Sequence, residues 1–421
     1  MSSEFEQKLE KYAEVLLKVG LNLQPGQRLL IGGPTLDADG IPLESAPLVR
    51  LLAKKAYQMG ARLVDVVWGD KQLRLIRFQN APKDSIGEYP KWKIDARYDI
   101  AKAGDANLNL TSPTPDLLSE VEPKLISQSQ TSFYKQIKSV FDLLTINAFN
   151  WLVASVPNDD WADKLFPEIP QNRRKDKLWD TIFEICRINQ EEPIAAWEKH
   201  LNDLVKRTDY LNQKQYSALK LIAPGTDLMI GLPKSHYWEG GRGTAQNGIS
   251  FTANIPTEEV FTMPHKDKVE GVVTTTKPVY YGGCTIENCC LKFSKGRVVE
   301  AHAEKGEEFI LKTLETDEGA RHLGEIALVP HSSPISQSGM LFYSMLIDEN
   351  ASNHIALGQA YRDSLKNGKT LTDEEFMAAG GNNSLIHLDF MIGSGEMNVE
   401  GILEDETAEP IMRNGEWAFD V

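Results

Sequence analysis

Ser384-Leu385-Ile386-His387-Leu388-Asp389-Phe390-Met391-Ile392-Gly393 alternates strictly. Ile386, Leu388, Phe390 and Ile392 fall on one face of a strand, and His387 and Asp389 on the other. A strand with one wholly apolar face packs that face into a core. Its His and Asp then project as neighbours into a shared space. An imidazole nitrogen beside a carboxylate oxygen is a donor pair suited to a borderline-soft divalent cation. The surroundings of this strand therefore decide both the fold and the chemistry.

The sequence around it is punctuated. From about residue 216 onward, short strand-like pieces are separated by Pro224-Gly225, Gly240-Gly241-Arg242-Gly243, Gly282-Gly283 and Lys295-Gly296. That texture predicts a mixed or antiparallel sheet-rich α+β domain over 216–421, with one helix at about 304–322. The glycine-rich 240–248 stretch is not followed by Gly-Lys-Ser/Thr, so it reads as a mobile loop and not as a phosphate cradle.

The first half alternates helices and strands. Phe5, Leu9, Tyr12, Ala13, Leu16 and Val19 share one face of a helix over 4–21. A Pro25-Gly26 turn, a strand at 28–31, a helix at about 44–59 and a strand at 61–68 follow, a β-α-β pattern that predicts a parallel sheet. Further strands fall at 105–110 and near 151–156, with helices at about 120–141, 172–188 and 194–212. The fold class is thus α/β: an N-terminal domain over 1–215 with a mainly parallel sheet, then the second domain. Gly32-Gly33-Pro34 follows a strand, but there is no G-x-G-x-x-G, and Pro34 removes a donor where a pyrophosphate would need one. Nucleotide binding there is not expected.

Composition narrows the partners. A chain of 421 residues is long enough for two domains. Its net charge of −15, with no basic run, argues against nucleic acid and anionic membrane. Arg173-Arg174-Lys175-Asp176-Lys177 reads as a solvated helix start. No apolar stretch reaches the roughly 18–20 residues of a membrane span, and Met1-Ser2-Ser3-Glu4 opens an amphipathic helix, not a signal peptide. Cys186, Cys284, Cys289 and Cys290 are too few for a disulfide scaffold. Alternation over 285–293 turns Cys289 and Cys290 to opposite faces, so buried reduced thiols are expected in preference to a zinc site. A cytoplasmic protein is the consistent reading.

Four places in the second half put metal-ligand residue types into apolar sequence. They are Glu258-Glu259 in Asn254-Ile255-Pro256-Thr257-Glu258-Glu259-Val260-Phe261-Thr262, Glu325 in Leu323-Gly324-Glu325-Ile326-Ala327-Leu328, His354 with Tyr361 seven residues on, and the His387-x-Asp389 strand. Burying an unpaired carboxylate costs several kcal/mol, so Glu325 needs a partner. Each signal alone has a plainer reading: a hydrogen-bonded core His, or a strand-end Glu bridged to a cation. Their common setting in one domain raises the set.

Together these segments resemble the thermophilic-aminopeptidase family, aminopeptidase T or S, peptidase family M29. The likeness spans nearly the whole chain and is strongest over about 216–396. It implies metal ligands at Glu259, Glu325, His354, His387 and Asp389, with Glu325 bridging two divalent cations, zinc or cobalt. It also implies that Tyr361 steadies a tetrahedral intermediate. Charge supports two cations over one: three carboxylates with two neutral His balance two dications and a hydroxide, whereas one cation leaves crowded, partly protonated carboxylates. The expected function is a metal-dependent aminopeptidase acting on peptide substrates, Glu259 and Tyr361 being the catalytic candidates, and a homodimer with its sites facing an enclosed interior. Glu258 or Glu259 would carry the proton to the leaving amine. The alternatives are a two-metal hydrolase of an ester or phosphoester, or a peptide-binding protein without catalysis.

Overall fold

The computed structural model describes residues 3–33, 40–281 and 284–421. Met1 and Ser2, Pro34 and the Gly282-Gly283 turn read from the sequence lie outside the described residues. The chain packs as two compact units: Met1–His200 with Arg242–Pro256, and Leu201–Gly241 with Thr257–Val421.

In the first unit every pairing of the five-stranded sheet is parallel. The strand order is Asn254–Ile255, Trp151–Ser155, Ala106–Thr111, Arg28–Ile31, Leu63–Val66. Ala46–Gln58 is the crossover helix between the Arg28–Ile31 and Leu63–Val66 strands, burying Leu48, Val49, Leu52 and Ala56 at helical spacing. The helix expected over 4–21 is α-helical at Ser3–Glu14 and continues as a π-helical turn, Val15–Gly20. The 240–248 stretch, expected as a loop, contributes Gly243–Thr244, which pairs with Ser250–Phe251 in a small hairpin.

The second unit holds two large antiparallel sheets and a two-stranded one, Val279–Tyr281 with Cys284–Ile286. Eight strands run in the order Arg297–His302, Cys290–Ser294, Val269–Thr274, Thr226–Gly231, Ala218–Ala223, Asn398–Ile402, Ala408–Arg413, Glu416–Trp417. Four run Val260–Thr262, Leu323–Leu328, His354–Gly358, His387–Met391. One apolar core joins them: Leu219, Leu228, Ile230, Val269, Leu291 and Val399 of the larger sheet pack with Ile326, Leu328, Ile355, Leu357, Leu388 and Phe390 of the smaller. Alternation thus places the apolar face of the 387–391 strand where it was expected. The Phe390→Ala protein is expected to lose about 3–5 kcal/mol of unfolding free energy, read by denaturant melts, because Phe390 is fully buried in this core.

Two local readings are corrected. The helix expected over 304–322 breaks in two, Glu307–Thr313 and a 3-10 turn at Glu318–Arg321. Asp317 is the reason. Its carboxylate accepts the Ala320 N–H at 2.9 Å, the Leu385 N–H at 2.7 Å and the Ser384 hydroxyl at 2.8 Å, so it caps the turn and pins the approach to the His387 strand. The run 285–293 is two strands, Cys284–Ile286 and Cys290–Ser294, separated where Asn288 adopts φ 49°. No disulfide joins the four cysteines, but only Cys186 and Cys289 are buried, while Cys284 and Cys290 are half-buried.

Candidate metal centre

The four-stranded sheet carries its ionisable residues on the face away from the core. Register does this: Glu325 stands opposite Ala356, and Ala356 opposite Asp389, while Ala327 stands opposite His354, and Gly358 opposite His387. Residues directly opposite share a face. The intervening Ile326, Leu328, Ile355, Leu357, Leu388 and Phe390 therefore point into the core. On the ligand face, the positions between the donors are Ala327, Ala356 and Gly358, which leave room above the sheet.

A bulge at Leu323/Glu325 re-aims Glu325. Gly324 permits it, because a Cβ there would meet the Gln359 and Gly358 carbonyl oxygens at 2.4 and 2.5 Å. Gly358 is held at φ +105°, with the Ile386 carbonyl 2.2 Å from where a Cβ would sit.

The structure brings all five expected ligands together in two groups that share Glu325. Glu259, Glu325 and His354 form one, and Glu325, His387 and Asp389 the other. His354 Nε2 lies 3.1 Å from Glu259 Oε2 and 3.4 Å from Glu325 Oε1. His387 Nε2 lies 3.8 Å from Glu325 Oε2 and 3.4 Å from Asp389 Oδ1. Two donors on a tetrahedral cation with bonds of about 2.1 Å are about 3.4 Å apart, so these separations fit a donor set. Glu259 Oε2 is buried and, among the described residues, has no hydrogen-bond partner despite its closeness to His354. Such an atom calls for a positive partner.

The histidines are oriented from behind. His387 Nδ1 is 2.8 Å from the Gln359 carbonyl and His354 Nδ1 3.2 Å from the Ser352 carbonyl. With Nδ1 donating, each Nε2 lone pair faces the carboxylates, the arrangement that second-shell carbonyls impose on ligating imidazoles. Glu258, next to the ligand Glu259, is anchored through its backbone N–H to Asn350 Oδ1 at 2.7 Å.

Electrostatics without a cation are strained in a readable way. Burial raises the Glu325 carboxyl, with Glu259 and Asp389 adding to it. For His387, burial opposes the charged ring, but Asp389 and Glu325 outweigh it and push the imidazole up to about 9. His354 is likewise lifted well above the usual range against burial, by Glu259 and Glu325. A His raised above its unfolded value of about 6.5 contributes stability that is complete below that pH and lost as pH rises through about 9. The melting temperature of chelator-treated protein is therefore expected to fall between pH 6.5 and 9.5. Restoring a divalent cation, which displaces those protons, is expected to flatten the slope. A chelated protein with the same slope as the loaded one would contradict this.

Tyr361 sits beside the group, its ring centroid 5.3 Å from that of His387. Burial, then Glu325 and Asp389, raise its hydroxyl well above the usual range, so it remains a donor. Glu349 was not singled out from the sequence. It lies on a 3-10 turn, Glu349–Ala351, outside any periodic pattern. Burial and the charges of Asp389 and Glu259 hold its carboxyl well above the usual range, which marks it as a neighbour of the ligands.

Fold and donor set together define a class: a metallohydrolase-like α/β protein with a candidate two-cation centre on an antiparallel sheet. The M29 family profile, thermophilic metalloprotease, matches residues 5–417. The chain belongs to that family, and is thereby a metalloprotease, an enzyme hydrolysing peptide bonds. Aminopeptidase 2 of Geobacillus stearothermophilus is 45% identical over 99% of each chain. Aminopeptidase AmpS of Bacillus subtilis (strain 168) is 43% identical, again over 99% of each. The structure of wild-type AmpT from Thermus thermophilus superposes with a TM-score of 0.90 at 40% identity, covering 99% of this chain and 100% of that one. A 2,5-dihydroxypyridine dioxygenase from Pseudomonas putida KT2440 shares the fold alone, at 12% identity and a TM-score of 0.52.

Proposed function

We propose that this metalloprotease is an aminopeptidase that removes N-terminal residues from peptides at a centre of two divalent cations, zinc or cobalt. The observation that carries the reading is the membership of Glu325 in both donor groups. Glu259, Glu325 and His354 would hold one cation, and Glu325, His387 and Asp389 the other. When bound, such a pair supplies Lewis-acid polarisation and water activation. Tyr361 donates its hydroxyl to the oxyanion that develops on the scissile carbonyl. Glu259 serves catalysis as a ligand. The proton reaches the leaving amine through a neighbouring carboxylate; Glu349 joins Glu258 and Glu259 as a candidate, and Glu349→Gln and Glu258→Gln proteins separate them by their pH profiles.

Residues 216–421 are read as the catalytic domain and 1–215 as the N-terminal domain. All five ligands fall in the unit of Leu201–Gly241 with Thr257–Val421, which supports that division of roles. The working form is read as a cytoplasmic homodimer. Cysteines outside any disulfide and the acidic net charge are consistent with the compartment. Sedimentation of the loaded protein tests the dimer.

The deciding assay offers chelated and cation-restored protein amino-acid p-nitroanilides beside phosphate and carboxylate esters. Turnover of the anilides that depends on cation is expected. Ester or phosphoester turnover without anilide turnover would favour a different hydrolase, and cation-free protein inert after reloading would favour a peptide binder. The Tyr361→Phe protein is expected to keep its cation content and lose about 10²–10³-fold in kcat, the size seen for a single oxyanion donor.

A further inference from the structure

The ligand face continues past the metal centre as a row of side chains. His354 stands opposite Ala327, and Ala327 opposite Phe261. Phe261 in turn exchanges backbone hydrogen bonds with Glu239, at 2.8 and 2.9 Å, so Glu239 extends the row by one position. Neighbouring strands are about 4.8 Å apart, which puts Phe261 two strand spacings from the His354 backbone, with only the Ala327 methyl between them.

Phe261 meets Tyr361 at 6.2 Å between ring centroids, and Tyr361 meets His387 at 5.3 Å. The three rings form a wall that starts at a ligand and runs outward. Phe261 and Tyr361 are both half-buried, whereas Phe390 on the opposite face of the same sheet is fully buried. An aromatic face left open beside a polar centre gains when an apolar group covers it. The far end of the row is acidic: burial pushes the Glu239 carboxyl up to about 7 against the pull of Lys369, which is paired with Asp363 at 2.8 Å.

In the aminopeptidase reading, the free amine and the scissile carbonyl of a peptide would lie at the metal centre. The side chain that branches between them is that of the first residue, and the adjoining surface is Ala327 followed by Phe261. We infer that Phe261, with Tyr361 beside it, receives the side chain of the N-terminal residue and selects large apolar side chains over small ones. This rests on the aminopeptidase reading and names its substrate class. The small Ala327 sets the depth available next to the ligands, and the Glu239 position closes the slot at its outer end.

The test compares kcat/KM on leucine, phenylalanine and alanine p-nitroanilides for the cation-loaded wild type, Phe261→Ala, Phe261→Leu and Phe261→Trp, with cation content and melting temperature recorded for each. The wild type is expected to favour leucine and phenylalanine. Phe261→Ala is expected to lower the leucine-to-alanine ratio of kcat/KM about 10–100-fold, the range a hydrophobic pocket can discriminate. Phe261→Leu is expected to restore most of that ratio, and Phe261→Trp, which narrows the slot, to lower the phenylalanine-to-alanine ratio. Calorimetric binding of free L-leucine against L-alanine is expected to follow the same order. Unchanged ratios in all three variants would overturn the assignment, as would equal losses on every substrate with cation content intact. A wild type that cleaves no amino-acid anilide when loaded would instead remove the aminopeptidase reading.

Discussion

The Glu325→Ala protein is expected to lose both cations together, while Asp389→Ala or His387→Ala first weakens only the group that contains them. Glu325 is the one residue common to the two donor groups, with one oxygen 3.4 Å from His354 Nε2 and the other 3.8 Å from His387 Nε2. Its loss also leaves the buried His354 and the half-buried His387 without the carboxylate that faces both. Lewis-acid stabilisation is worth several kcal/mol in the transition state, so activity should fall by on the order of 10³–10⁴-fold or more. Metal analysis beside kinetics checks it. Glu325→Ala protein that retained one cation at wild-type affinity would show that the two groups do not share this residue.

The second large effect requires no change to any ligand. Ala356 is fully buried and stands in register between Glu325 and Asp389. Its methyl leaves the volume above the sheet to whatever the two carboxylates hold. An Ala356→Leu side chain fills that volume. Overpacking of this kind costs about 1–3 kcal/mol, within the stability of an ordinary domain, so the protein is expected to fold. Cation content is nevertheless expected to drop below about a tenth of wild type, with activity following it. Ile355→Val, one residue away on the opposite face, serves as the control. It costs about 0.5–1.5 kcal/mol in the core and leaves cation content unchanged. Equal cation content in the Ala356→Leu and wild-type proteins would place the cations elsewhere.

Much of this centre was legible in the 384–393 strand because alternation is a local property. Its apolar residues lie in the core and its His and Asp face the ligands, as the period requires. What joins Glu325 and His354 to it is register between strands separated by some thirty residues. Spacing along the chain does not encode that, and only the family resemblance pointed to it. Gly324 and Gly358 look like ordinary turn glycines in the sequence. Their work, accommodating a bulge and a close backbone approach that aim Glu325 and seat His387, is visible only once strands are paired. Glu349 escaped notice because a 3-10 turn has no amphipathic period. The same local reading ran a helix through 304–322, where Asp317 spends its carboxylate on the backbone of Ala320 and Leu385 instead. The short Asn254–Ile255 strand could not be assigned by a linear division either. It pairs in parallel with Trp151–Ser155, which takes residues 242–256 into the first unit while the chain on both sides belongs to the second.

Anomalous diffraction from crystals soaked in zinc or cobalt tests the arrangement most directly. The expected map shows two peaks about 3.5–4 Å apart, each within bonding distance of one Glu325 oxygen, with Glu259 and His354 on one side and His387 and Asp389 on the other. A single peak, or two peaks that do not both contact Glu325, would contradict it.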